Sequence, residues 1–190
     1  HNILSSMIAI ELKCHGYNNT FVHRGTSFEN ALLDACLQFR NNRIKTALLG
    51  GYDELTEDYY VFFKRLGIFE FENDFSSPKK HCFAGEAAVS MLLTSEKRDN
   101  ALCEVSGVDT LFMPSQAKME QSLHNLLSAA GCTLSDVDAV MVGLNTNREN
   151  DEVYHQVTGR LFAGMPVLQY KHLFGQSFTS PALGMYAATT

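Results

Sequence analysis

Several things are missing from this chain, and each absence closes off a class of function. No apolar run is long enough to suggest a membrane span, although 45% of the 190 residues are hydrophobic, a normal share for a globular chain with a real core. No basic run stands out, and a formal net charge of −6 argues against a nucleic-acid surface. The five cysteines, at positions 14, 36, 82, 103 and 132, are odd in number and irregular in spacing, and no pair has zinc-site spacing. Buried free thiols in a reducing cytoplasm are expected rather than a disulfide framework. His15, His23, His81, His124, His155 and His172 show neither an H-E-x-x-H pattern nor close metal spacing. Gly50-Gly51 is not G-x-G-x-x-G and brings no Lys-Ser/Thr, so it reads as a strand-end turn and not a phosphate loop. No signal peptide leads from His1, and the Ala-rich "GMYAATT" carries no helix stop signal, so a fragment of a longer protein is expected.

What is present alternates between two periodicities. "SSMIAIELKCHGY" has helical spacing and a glycine suited to a C-cap, and "NNTFVH" reads as a short strand. Thr26 and Glu29 form an S/T-x-x-E capping-box pattern. Phe28, Ala31, Leu32, Ala35, Cys36 and Phe39 then make one apolar stripe, which predicts a helix starting beside Thr26 or Ser27. "RGTSF" is not G-x-S-x-G, so Ser27 reads as a helix cap and not as a nucleophile. "IKTALLGG" predicts a strand buried on both faces, "DELTEDYYVFFKRLG" a partial helix and "FENDFSSPKKH" a loop. "EAAVSMLLTSE" and "ALCEVSGVDTLF" predict two strands paired as a hairpin across "KRDN".

The pattern then restarts. "AKMEQSLHNLLSAAG" predicts an amphipathic helix burying Leu123, Leu126, Leu127 and Ala130, with Gly131 past its end. A strand "DAVMVGLN", a helix "ENDEVYHQVTGRLFAG", a strand "MPVLQY" and a loop running into a final helix complete the chain. Such alternation implies an α/β layered fold with mostly parallel strands.

Five segments in order resemble the β-ketoacyl synthases, condensing enzymes of the thiolase superfamily. "HNILSSMIAIELKCHGYNNTFV" resembles the helix and strand that lead to the family's active cysteine. "IKTALLGGYDE" resembles its "ADVMLAGGTE" strand, and "CFAGEAAVSMLLTSE" its "FVVGEGAGVLVLEE". "LSDVDAVMVGLNTNREND" resembles "PEDIDYVNAHGTSTPLGD" without a gap, and "YKHLFGQSFTSPALG" resembles "TKSMTGHTLGAAG". The resemblance covers nearly the whole chain but only the middle of a complete synthase. It implies a thiolase-like layered αβαβα fold of two similar halves, incomplete in this chain. Residues 1–112 would be the C-terminal part of the first half, and 113–190 the N-terminal part of the second.

The family condenses acyl chains with malonyl groups on acyl carrier protein. A cysteine takes the acyl group, two histidines assist decarboxylation and stabilise the enolate, and a lysine supports the second histidine. Carried over by resemblance, the nucleophile falls on Gly25, the first histidine on Gly143 and the second on Gln176, while Lys171 is retained. Glu86 and Asp151 match two acidic positions of the family. Glycine offers no polarisable nucleophile, and glutamine cannot shuttle a proton as histidine can.

The resemblance therefore implies a degenerate subunit like a chain-length factor, although Gly25 is not the glutamine often found in that role. Such a subunit implies an active synthase or a second copy as partner, an acyl carrier protein, a dimer formed through Thr20 to His23, and a cytoplasmic setting. It implies no cofactor, metal, nucleic acid or membrane. Phe28 would line the acyl tunnel. Two other readings stand beside it: an active condensing enzyme or acyltransferase with relocated residues such as Ser27, His23 or Cys82, and an unrelated α/β ligand-binding domain.

Overall fold

The computed structural model describes residues 3–69 and 83–189. The expected loop "FENDFSSPKKH", with His81, and also Cys82 lie outside the described residues. Seven α-helices and four strands follow in chain order among those described: α1 (Ile3–Glu11), α2 (Ser27–Arg40), β1 (Thr46–Asp53), α3 (Glu57–Arg65), β2 (Ala87–Thr94), α4 (Gln116–Ala129), β3 (Val140–Val142), α5 (Arg148–Leu161), β4 (Val167–Gln169), α6 (Lys171–Phe174) and α7 (Ser180–Ala187). No helix among them is long and apolar enough to cross a membrane.

α2 starts where its apolar stripe starts, and Phe28, Leu32 and Ala35 are buried by it. The expected capping box does not form. The Thr26 hydroxyl donates to the His23 carbonyl at 3.2 Å. The neighbouring Ser27 serves the backbone instead: its hydroxyl accepts from His23 N–H at 2.9 Å and donates to Arg24 C=O at 2.6 Å. The Thr26 N–H donates to the His23 carbonyl at 3.4 Å, so Glu29 does not complete the box. α4 and α5 are capped as their sequences suggest, by Ser115 accepting from Lys118 N–H and by Asn147 accepting from Glu149 and Asn150 N–H. Gly131 and Gly164 follow these helices with positive φ, the usual helix exit.

β1 and β2 pair antiparallel along their whole lengths, from Thr46↔Thr94 to Asp53↔Ala87. β3 and β4 pair parallel, joined by α5 as a βαβ crossover. The expectation of mostly parallel strands thus holds for one pair and fails for the other. Burial on both faces of β1 is also corrected. Its residues alternate, with Leu49 and Gly51 inward and Leu48 and Tyr52 outward, because α2 and α7 cover one face only. The core on that face is Phe28, Leu32, Leu49 and Ala182, with Val89, Met91 and Leu93 of β2 packed against it.

Two predicted strands are absent. Residues 18–23 and 101–111 carry no strand in the fold. Val105 and Val108 pack on the core without joining a ladder, so their burial is met by side chains alone. The α4 stripe is only half-buried at Leu123, Leu126 and Leu127, and Ala130 is exposed. The expected buried thiols are corrected too: among the described cysteines, all free, Cys14 and Cys103 are exposed, and Cys36 and Cys132 are half-buried.

The two strand pairs are stitched together near the end of the chain. Gly85 N–H donates to Gln176 C=O at 3.0 Å, and Gln176 N–H to Phe83 C=O at 2.7 Å. Here a side chain would not fit: a Cβ on Gly85 would stand 2.0 Å from the Phe174 carbonyl oxygen, and Gly175 has φ +77°. Further along, Asp53 at the end of β1 accepts from both the backbone N–H and the hydroxyl of Thr179, at 2.8 and 3.1 Å. That contact sets α7 over the β1–β2 sheet.

Candidate functional site

Four residues distant in sequence meet in one cavity of about 260 Å³: Gly25, Gly143, Lys171 and Gln176. Each is placed by a different element. Gly25 sits in the 3-10 turn that leads into α2, just after Arg24, whose φ is +54°. Gly143 follows β3 directly, Lys171 opens α6, and Gln176 is held by the Gly85 stitch. These are the four positions at which the sequence resemblance put a nucleophile, two histidines and a lysine.

The side chains present form a fixed polar network. Lys171 Nζ donates to Gln176 Oε1 at 2.8 Å, and Asn145 Nδ2 donates to the same oxygen at 3.1 Å. Gln176 Nε2 donates to Ser177 C=O at 3.2 Å. Asn145 is itself fixed, because its N–H donates to Asp151 Oδ1 at 3.0 Å and its own Oδ1 accepts from Asn147 N–H at 3.1 Å. Asp151 therefore works one layer behind the cavity. Glu86 works elsewhere, accepting from Leu55 N–H at 2.9 Å.

The two glycines differ in what surrounds them. At Gly25 a Cβ would meet nothing within 4 Å. At Gly143 a Cβ would stand 3.0 Å from the Tyr154 hydroxyl, 3.1 Å from Lys171 Cε and 3.3 Å from Lys171 Nζ. Tyr154 from α5 and Lys171 thus fill the space that a side chain at 143 would enter. Tyr154 remains 37% exposed as a residue, while its hydroxyl turns to the Gly143 backbone N–H.

Glu29, in the first turn of α2, also lines the cavity. Burial raises its carboxyl above the ordinary range, while its own backbone N–H and the charge of Lys171 pull the other way. Its Oε2 is buried with no hydrogen-bond partner among the described residues. Burial likewise raises the Tyr154 phenol, assisted by the charges of Glu29 and Asp151, and raises that of Tyr170, assisted by Tyr154. Both phenols keep their protons across the neutral range.

Among the described residues no thiol and no imidazole lines this cavity. Its serine hydroxyls, Ser177 and Ser180, share the lining with Glu29, Lys171, Tyr154 and Tyr170 and have no hydrogen-bonded imidazole among the described residues. Of the relocated candidates, Ser27 and His23 do not enter the cavity. The Ser27 hydroxyl is committed to backbone on both sides, His23 lies against Phe21 and is not in the lining, and Cys82 lies outside the described residues. Phe28 does not line the cavity. It is 4% exposed and packs in the core with Leu32 and Leu49, as its place on the apolar stripe requires. Among the described residues no group of three or more His, Cys, Asp or Glu side chains could hold a metal ion.

Glu29 and Tyr154 are, with Tyr170, Ser177 and Ser180, the polar lining residues that sequence reasoning missed. The capping pattern supplied a sufficient reason for Glu29, and nothing in the sequence sets Tyr154 apart from other helix residues.

No family profile matches the chain, and no curated protein does. Solved structures do match. A ketosynthase/chain length factor named for ishigamide is 20% identical, with a TM-score of 0.76 over 98% of this chain and 50% of that one. A ketosynthase solved in complex with its type II polyketide-synthase acyl carrier protein is 19% identical, with a TM-score of 0.79 over 97% and 52%. A β-ketoacyl synthase from Burkholderia phymatum STM815 is 18% identical, with a TM-score of 0.69 over 87% and 46%. The chain spans about half the length of these structures, and its layered α/β fold is the thiolase-like fold of the ketosynthases.

Proposed function

We propose that this chain is a non-condensing, ketosynthase-like subunit that works beside an active synthase in fatty acid or polyketide assembly. One observation carries the reading. The positions matching the family's nucleophile and both histidines converge on a single cavity, and among the described residues neither a thiol nor an imidazole lines it. Convergence supports the alignment of the four positions, and the chemistry of what stands there supports the loss of condensing activity. On this reading residues 1–112 belong to one thiolase-like half and 113–190 to the other, with the stitch between Ala84 and Gln176 joining them.

The partners follow from the same reading. One is an active ketosynthase or a second copy, and the other is an acyl carrier protein of the sort seen with the matched ketosynthase. Residues 18–23 form no strand within the chain, and Val22 is 71% exposed, which favours this segment as the subunit contact. Intact-mass analysis after incubation with acyl thioesters provides the test. The expected result is an unmodified chain, with condensation appearing only when an active synthase is added. A stoichiometric acyl adduct on residues 23–27 would sink the proposal.

A further inference from the structure

The cavity lacks the groups for acyl transfer but has those for moving a proton at carbon. Glu29 supplies a carboxyl group, one oxygen of which is buried without a partner among the described residues. Tyr154 brings its hydroxyl to the spot beside Gly143, and the Gly143 N–H supports the phenol oxygen, leaving the phenol proton to be given to a ligand. Lys171 brings a positive charge to the same spot. Enolisation of a carbonyl compound calls for three such groups: a base for the α C–H, an O–H donor for the carbonyl oxygen, and a cation near the charge that develops. A carboxylate made more basic by burial, next to a phenol held protonated, is a suitable acid–base pair.

We propose that Glu29, Tyr154 and Lys171 together catalyse proton exchange at the α-carbon of a carbonyl ligand seated in this cavity. The Glu29 carboxylate takes the α proton. The C–H electron pair becomes the C=C bond of the enolate, and the carbonyl π pair moves to oxygen, where the Tyr154 hydroxyl donates. The step reverses after Glu29 has exchanged its proton with solvent, so no co-reactant is consumed. The choice of a 3-ketoacyl thioester as ligand rests on the ketosynthase-like reading above; the arrangement of the three groups does not.

The test incubates the full chain in D₂O with the N-acetylcysteamine thioester of 2-methyl-3-oxopentanoic acid and follows its single C2–H by NMR. Exchange is expected to run about 100-fold faster than in buffer alone, within the range of general acid–base catalysis. Glu29→Gln should return it to the buffer rate, and Tyr154→Phe should slow it about ten-fold. The wild-type rate should also rise with pH through one ionisation and then level off. The ionisable groups facing Glu29 are Lys171, Tyr154 and Tyr170; burial raises both phenols, and a limb that disappears in Glu29→Gln belongs to Glu29. If Glu29→Gln fails to fold by circular dichroism, Glu29→Asp takes its place, and its shorter carboxyl should slow exchange while keeping the limb. Wild-type exchange at the buffer rate, a rate that merely tracks hydroxide, or a folded Glu29→Gln chain at full rate each overturns the inference. None of those outcomes decides the acyl-adduct test of the proposed function. An adduct would end that reading while leaving the exchange result standing.

Discussion

At position 143 a glycine is a consequence of its neighbours, whereas at position 25 it is not. Gly25→Cys should be tolerated within about 0.5 kcal/mol, because a new side chain there meets open space. Gly143→His must displace the ends of Tyr154 and Lys171 and should cost about 1–3 kcal/mol, as overpacking does. Urea unfolding of both variants checks the contrast, and adding Tyr154→Phe to Gly143→His should recover part of the loss. Phe28→Ala removes a core ring and should cost about 3–5 kcal/mol in the same assay. Glu29 adds a pH dependence. Its folded carboxyl binds a proton more tightly than the unfolded one, so its contribution is whole at low pH and is lost as pH rises from the ordinary carboxylate range through the raised folded value. Glu29→Gln should flatten that part of the stability-versus-pH curve, measured as the thermal midpoint from pH 4 upward. Gly25, Gly143, Lys171 and Gln176 were legible only through the resemblance to the ketosynthase motifs. The sequence hid Glu29 because a capping box gave that residue a local purpose, and that purpose vanished when Ser27 took over the backbone contacts.

Elements were readable where a segment decides its own structure and unreadable where a neighbour decides it. α2, α4 and α5 carry their stripes and caps within themselves, and all three lie where periodicity puts them. A strand exists only by virtue of the segment that takes its hydrogen bonds. The stretches 18–23 and 101–111 have strand composition but no ladder partner among the described residues, and so they run as irregular backbone. The same dependence makes the Gly85 stitch sensitive. Gly85→Ala would push a methyl against the Phe174 carbonyl and should cost about 3 kcal/mol or more. Because the Gly85 N–H holds Gln176, an NMR or crystal structure of any folded variant should show the Lys171–Gln176 bond broken.

Across the whole molecule, order depends on contacts far apart in sequence. Asp53 reaches Thr179 with two hydrogen bonds, and α7 covers the part of the inward β1 face that α2 leaves open. Asp53→Ala should cost about 1.5–3 kcal/mol, the worth of a charged acceptor, and should loosen α7 first. Amide hydrogen exchange would show this as faster exchange at 180–187 with β1 little changed. This arrangement also has a temporal side. A ribosome delivers the chain from its N-terminus at about 5–20 residues per second, so β1 and β2 are complete roughly four to twenty seconds before α7 exists. For that interval the Leu49–Gly51 face is only half covered, and a two-stranded sheet with a bare apolar side is a target for holdase chaperones and for other nascent chains on the same messenger. Slow translation ahead of codon 180 would lengthen that exposure without changing a single residue.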